Sequence, residues 1–220
     1  MIKNKGPIYV LDIGNYALKL IKLDLHRQRP CVLVTRSVKL PHDKPTPFSY
    51  ENIKDELAHG IERLFSQEPK NARKNVAVLL ANNSLFTRFV TLPNISRSKL
   101  NQIINFEVEQ QIPFIIDEVT WAYTVIPLPQ THDLSVLIAA IRNTDIDALT
   151  EILSAHNISI HAFGINHLAY VNLLHYFREK DKNVLVIDLG DESTNLIFLE
   201  GNKTWGRHLF IGGEKLNSML

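Results

Sequence analysis

Val10-Leu11-Asp12-Ile13-Gly14-Asn15-Tyr16-Ala17-Leu18-Lys19-Leu20 has a counterpart in Val186-Ile187-Asp188-Leu189-Gly190-Asp191-Glu192-Ser193-Thr194-Asn195-Leu196, 176 positions further on. Each copy reads as a buried strand, an Asp, an apolar residue, a Gly, a few small or polar residues and a second strand. An Asp at the end of a buried strand is costly unless something satisfies it. A glycine two residues later lets the chain turn tightly and lets backbone N–H groups approach a phosphate closely. The Asp can then hold a Mg²⁺ ion, directly or through water. A lone Asp-x-Gly at a strand end is normally just a turn. Two copies after apolar strands point to two hairpins that grip a polyphosphate from both sides.

The candidate binding residues follow from these copies: Asp12, Gly14 and Asn15 in the first, and Asp188, Gly190, Ser193 and Thr194 in the second. Asp12 and Asp188 are the candidate metal carboxylates. Lys19 is either a phosphate-facing ammonium or a solvated strand lysine. Asn15, Ser193 and Thr194 read as donors to phosphate or as turn chemistry.

Working outward, residues 8–13, 18–25, 31–40 and 76–81 read as strands. Ser49 is placed to cap a helix with the stripe Ile53, Leu57, Ile61, Leu64 and Phe65, after a proline-rich loop at 42–48. Residues 84–159 read as a compact insert. It has strands at 85–92, 119–128 and 134–141, and a helix from Ser96 to Gln111 with Leu100, Ile103, Ile104 and Val108 on one face. A second helix is capped by Thr144, and a closing strand follows at 158–162. Residues 167–177 read as helix, 183–189 as an uninterrupted apolar strand, 195–199 as its partner and 201–202 as a tight turn. Glu214 to Leu220 reads as the first turns of a helix, as though a longer protein were cut there.

Composition adds bounds. The chain has 220 residues, 45% hydrophobic and 21% charged, which is ordinary for a globular protein. A net charge of +1 gives no reason to expect nucleic acid as a partner. The one cysteine, Cys31, fits a reducing cytoplasm. No run approaches the roughly 18 apolar residues of a spanning helix, so membrane contact is expected only through a partner. The nine histidines match no metal-ligand spacing and read as scattered surface residues. No Gly-x-Ser-x-Gly elbow or Walker loop is present. Lys70 to Lys74 reads as a solvated turn. Ile112-Pro113-Phe114-Ile115-Ile116 reads as core packing or as a partner-facing patch.

The hairpins resemble the phosphate motifs of the actin, heat-shock chaperone and sugar-kinase superfamily. The chain as a whole resembles the type IV pilus assembly proteins of the PilM kind, and behind them the division protein FtsA. The most specific stretch is Leu79 to Glu118, with Val90-Thr91-Leu92-Pro93 and Phe106-Glu107-Val108-Glu109-Gln110-Gln111-Ile112-Pro113-Phe114. Val184 to Leu199 resembles the second phosphate hairpin of the family, including Glu192-Ser193-Thr194. In the first hairpin Asn15 and Tyr16 stand where relatives carry small hydroxyl residues, which places Tyr16 beside the phosphate.

The resemblance implies an α/β, actin-like (ribonuclease H-like) fold. Subdomain 1A would comprise 1–83 plus 160–180, the inserted subdomain 1C would be 84–159, and 181–220 would begin subdomain 2A. It implies ATP and Mg²⁺ in the full-length protein, with weak or no turnover and this segment inactive alone. It implies a cytoplasmic platform for a pilus or type II secretion-like machine, peripheral to the inner membrane. That platform would hold the tail of a PilN-type inner-membrane protein in a groove between 1A and 1C, with self-association possible. Two alternatives stay open. A filament-forming division protein like FtsA would need a C-terminal amphipathic helix. A small-molecule kinase would need an acidic base near the γ-phosphate, and none is assignable.

Overall fold

The computed structural model describes residues 7–25, 30–41, 49–80, 82–93, 95–127, 133–177, 183–200 and 203–219. The loop at 42–48 and the turn at 201–202 lie outside them. In chain order the elements are β1 (Ile8–Ile13), β2 (Ala17–Asp24), β3 (Cys31–Lys39), α1 (Lys54–Phe65), β4 (Val76–Leu79), β5 (Leu85–Pro93), α2 (Arg97–Gln111), β6 (Val119–Pro127), β7 (Asp133–Arg142), α3 (Asn143–Ala155), β8 (Ile160–Gly164), α4 (Asn166–Tyr176), β9 (Val184–Leu189), β10 (Thr194–Glu200), β11 (Lys203–Leu209) and α5 (Gly213–Asn217). Among the described residues no helix is long and apolar enough to cross a membrane.

By packing, the chain forms two compact units, Met1–Ser84 with Thr144–Asn166, and Leu85–Asn143 with His167–Leu220. The first unit is a five-stranded sheet in the order β3-β2-β1-β4-β8. β1, β2 and β3 form an antiparallel meander, while β4 runs parallel to both β1 and β8. Helix α1 buries Leu57, Ile61, Leu64 and Phe65, as its stripe predicts. The expected cap differs. Ser49 Oγ accepts from the Asn52 N–H at 3.2 Å, one turn early, and Ile53 holds the capping position without a side-chain bond. Asp55 and Glu56 in the first turn suit the positive end of the helix.

A buried carboxylate organises this unit. Glu68 is 6% exposed. It accepts from the Tyr9 hydroxyl at 2.5 Å and from Lys22 Nζ at 2.9 Å, and pairs with Arg36 Nη2 at 2.9 Å. Burial pushes its carboxyl pKa up, but the bonds from Tyr9, Lys22 and Arg36 outweigh it and hold the value at about 2. Arg73 donates to the carbonyls of His156, Phe65 and Glu68, tying the end of α1 to the end of α3. Helix α3 packs in the first unit. Asp145 Oδ1 accepts from the Tyr50 N–H at 2.8 Å, and Glu151 pairs with Lys54 at 2.8 Å. Asn143 opens α3, so Thr144 lies inside the helix rather than capping it.

The second unit holds two three-stranded antiparallel sheets, β5-β7-β6 and β11-β10-β9. Helix α2 covers the first with Leu100, Ile104, Val108 and Ile112 against Leu92, Val136, Ile138 and Ala140. Ser96 sits at the N-cap of α2, but its hydroxyl makes no cap bond. Helix α4 covers one face of the second sheet, with Val171 against Ile197 and Leu199. The sequence reads β9 as wholly buried. Instead it alternates, with Leu185, Ile187 and Leu189 exposed, because α4 covers only one face. β11 was not expected, since Trp205-Gly206-Arg207-His208 lacks an alternating apolar pattern.

Candidate functional site

The first hairpin belongs to the first unit. In the β1–β2 register Asp12 stands opposite Lys19. Lys19 Nζ lies 3.5 Å from Asp12 Oδ2, with side-chain exposures of 59% and 28%. Alternation along β1 buries Leu11 and Ile13 and turns Asp12 to the other face of the sheet. The Gly14 N–H donates to the Ala17 carbonyl at 3.2 Å and closes the loop over Asn15 and Tyr16. A Cβ on Gly14 would stand 3.1 Å from that carbonyl. Tyr16 is tied to the end of β3: its carbonyl accepts from the Leu40 N–H at 2.8 Å, and Lys39 Nζ lies 5.1 Å above its ring.

The second hairpin belongs to the second unit and repeats the geometry with different chemistry. Asp188 stands opposite Asn195, the position that Lys19 holds in the first copy. Asn195 Nδ2 donates to Asp188 Oδ2 at 3.0 Å. On its other side Asn195 pairs in register with His208, and Asn195 Oδ1 lies 2.9 Å from His208 Nδ1. The Gly190 N–H donates to the Ser193 carbonyl at 2.9 Å, so Asp191 and Glu192 form the loop. Ser193 and Thr194 are buried, and the Thr194 hydroxyl donates to the Ile211 carbonyl at 2.6 Å. The chain after β11 braces this loop, as Gly213 N–H reaches Gly190 O at 2.8 Å and Glu214 N–H reaches Asp191 O at 2.9 Å. A Cβ on Gly212 would stand 2.1 Å from Asp191 O.

In both copies the glycine N–H bonds its own loop. Gly14 and Gly190 therefore shape the turns, and any phosphate donors must come from the rest of each loop or from side chains. The carboxylates are the groups that fit a cation. Among the described residues no cluster of three or more His, Cys, Asp or Glu side chains could ligate a metal by itself. Mg²⁺ suits such a place, since it keeps several waters and binds through one or two carboxylates plus phosphate oxygens. Asp12, beside Lys19 in the first unit, and Asp188, beside Asn195 in the second, each present one such carboxylate.

Two histidines expected at the surface are buried or half-buried beside the second hairpin. Burial depresses the His167 pKa to about 4, helped by nearby His208 and opposed by Asp188. Burial also lowers His208 against the pull of Asp188. The His167 ring packs on Gly206, where a Cβ would stand 2.8 Å from His167 Cδ2. Sequence reasoning passed over Asn195, although aligning the two repeats puts it level with Lys19. No comparable signal marks His208, because it lies on the unexpected β11.

In the 112–116 segment Ile112 is core, Phe114 and Ile116 pack partly against the core, and Ile115 is 64% exposed. The packing reading thus holds for Ile112, Phe114 and Ile116, while Ile115 is left at the surface. Arg142 stacks 5.0 Å from the centre of the Phe114 ring.

The sequence matches the family model described as type IV pilus assembly protein PilM over residues 10–220. It has no significant match among curated proteins. Among solved structures it is similar to a PilM-PilN type IV pilus biogenesis complex, with a TM-score of 0.80 and 24% identity over 96% of this chain and 63% of that one. The cytoplasmic domain of EpsL, an inner-membrane component of the type II secretion system of Vibrio cholerae, matches with a TM-score of 0.54 and 13% identity over 92% of this chain and 71% of that one. A Bacteroides thetaiotaomicron protein with an actin-like ATPase fold matches with a TM-score of 0.52 and 11% identity over 99% of this chain and 76% of that one. The fold is therefore the actin-like α/β fold, and this chain spans less than two thirds of the first of these relatives.

Proposed function

The chain belongs to the type IV pilus assembly protein PilM family, and from that premise we propose that it is part of a nucleotide-binding scaffold on the cytoplasmic face of a pilus or type II secretion-like assembly platform. Its partner is the short cytoplasmic tail of an inner-membrane PilN-type protein. The observation that carries this reading is the family match across nearly the whole chain. The similarity to the solved structure of a PilM-PilN complex supports the choice of partner. Subdomains 1A, 1C and 2A at the boundaries given above, and a tail-binding groove between 1A and 1C, are part of the proposal.

Nucleotide is ATP with Mg²⁺ in the full-length protein. Its phosphates meet Asp12, Asn15, Tyr16 and Lys19 from one hairpin and Asp188, Glu192, Ser193 and Thr194 from the other, with Gly14 and Gly190 setting the loops. When bound, Mg²⁺ would neutralise phosphate charge. The protein's own part is to hold two carboxylates and one ammonium in place. Nucleotide sets conformation in this reading and turns over slowly or not at all.

The test is co-purification of full-length protein with peptides copying the cytoplasmic tails of the inner-membrane proteins encoded beside it. Retention of one tail is the expected result. If no tail binds with or without ATP, the scaffold reading fails.

A further inference from the structure

We propose that Asn195 and His208 are positioning residues for Asp188, forming a two-link relay that fixes its carboxylate for a hydrated cation. This rests on the reading of Asp188 as a Mg²⁺-facing group. The three residues lie in one row across β9, β10 and β11, each the register partner of the next. Asn195 is 0% exposed, and a buried amide must be bonded at both ends.

The roles of the atoms follow from their partners. An ionised carboxylate only accepts, so the Asn195 nitrogen must face Asp188. The Asn195 oxygen then faces His208, and it too only accepts. His208 must therefore carry its hydrogen on Nδ1 and donate it. His208 Nε2 is buried and has no hydrogen-bond partner among the described residues. Among the described residues the hydrogen bonding of the ring is thus directed at Asn195 alone. The His208 ring orients the amide, and the amide orients Asp188 Oδ2, leaving Oδ1 to face a cation or its water.

The first hairpin shows why an amide matters here. At the same register position Lys19 offers Asp12 an exposed ammonium at 3.5 Å. An ammonium offsets the charge of its carboxylate, whereas a neutral amide fixes the plane of Asp188 and leaves its full negative charge. The two hairpins are therefore unequal, and Asp188 is the carboxylate prepared for the cation. Partners that orient a metal-binding group in this way typically change metal affinity by about 10–100-fold when removed.

The experiment is calorimetric titration of the full-length protein with ATP, with and without Mg²⁺. Asn195→Leu and His208→Phe are expected to lose about tenfold of the Mg²⁺-dependent affinity, with Mg²⁺-free binding unchanged. His208→Gln restores an N–H donor toward Asn195 and is expected to recover most of the loss, which a purely packing role for the ring would not allow. Asp188→Asn is the control and is expected to lose Mg²⁺ dependence entirely. Melting temperatures identify folded variants, and the His208 pair decides the matter if Asn195→Leu does not fold. Wild-type Mg²⁺ dependence in His208→Phe alongside its loss in Asp188→Asn overturns the relay and leaves the site standing. A His208→Gln variant no better than His208→Phe does the same. Retained Mg²⁺ dependence in Asp188→Asn overturns the site and the relay together.

Discussion

Lys19 stands opposite Asp12 across the first hairpin, with its ammonium 3.5 Å from Asp12 Oδ2 and more than half exposed. An exposed pair this loose stabilises a fold by roughly 0–1 kcal/mol. Lys19→Met is expected to leave the melting temperature nearly unchanged and to weaken ATP binding by full-length protein about tenfold, in line with the loss of one charge-assisted bond. Asp12→Ala is expected to weaken ATP·Mg²⁺ binding as well. Normal binding by both Asp12→Ala and Asp188→Ala in calorimetry would show the site assignment to be wrong.

Glu68 makes the acid stability of the first unit predictable. Its folded pKa, about 2, lies below the ordinary value of 4.5. A depressed carboxylate contributes stability in full above its unfolded pKa and loses it as pH falls toward the folded value. The window is thus from about pH 5 down to about 2, and the contribution is on the order of 3 kcal/mol at most. Denaturant midpoints across that window should fall more steeply for the parent than for Glu68→Gln. Equal slopes would show that the Tyr9–Glu68–Lys22–Arg36 cluster is not the acid-sensitive element.

Gly212→Ala should damage the second hairpin from a distance along the chain. The added Cβ would stand 2.1 Å from Asp191 O, a backbone atom that cannot swing away. Overpacking of this kind costs about 1–3 kcal/mol, and here it displaces the loop between Gly190 and Ser193. Weakened ATP binding together with a lowered melting temperature is the expected pair of results. Gly60→Ala meets Leu18 Cδ1 at 2.6 Å, a side-chain end that can rotate, so it should be milder. A Gly212→Ala variant as stable as the parent would refute the brace.

The insert allows core and contact residues to be separated. Ile104 is fully buried against β7, and Ile104→Ala should cost about 2–5 kcal/mol in chemical denaturation. Ile115 is exposed, and Ile115→Ser should change stability by no more than about 0.5 kcal/mol. If the patch at 112–116 faces the partner tail, Ile115→Ser should weaken tail-peptide binding several-fold in fluorescence titration. Unchanged peptide affinity would assign the whole segment to packing.

Much of the fold was legible in local pattern. The strand-turn-strand repeats carry Asp-x-Gly at matching places, and a two-residue side-chain period needs only neighbours to be recognised. The α1 and α2 stripes were legible for the same reason, since Leu57, Ile61 and Leu64, or Leu100, Ile104 and Val108, recur at helical spacing. Caps were less so. Ser49, Ser96 and Thr144 are all residues that favour capping, but the hydroxyl of Ser49 closes a preceding turn, that of Ser96 makes no cap bond, and Thr144 sits inside α3. A preference for a place does not say which hydrogen will be within reach.

The sequence by itself determined the two Asp-x-Gly turns, the apolar stripes of α1 and α2 and that Asp12 and Asp188 lie at the ends of two similar strands. These depend on neighbours a few positions away, whose spacing is set by covalent geometry. Only the tertiary structure decided what each Asp meets. Strand register set Lys19 against Asp12 and Asn195 against Asp188, and it added His208 from a strand whose composition did not announce it. It also joined Tyr9 to Glu68 across 59 positions and packed α3 with the first unit. Burial and pairing between distant segments are properties of the assembled chain, and no local spacing encodes them.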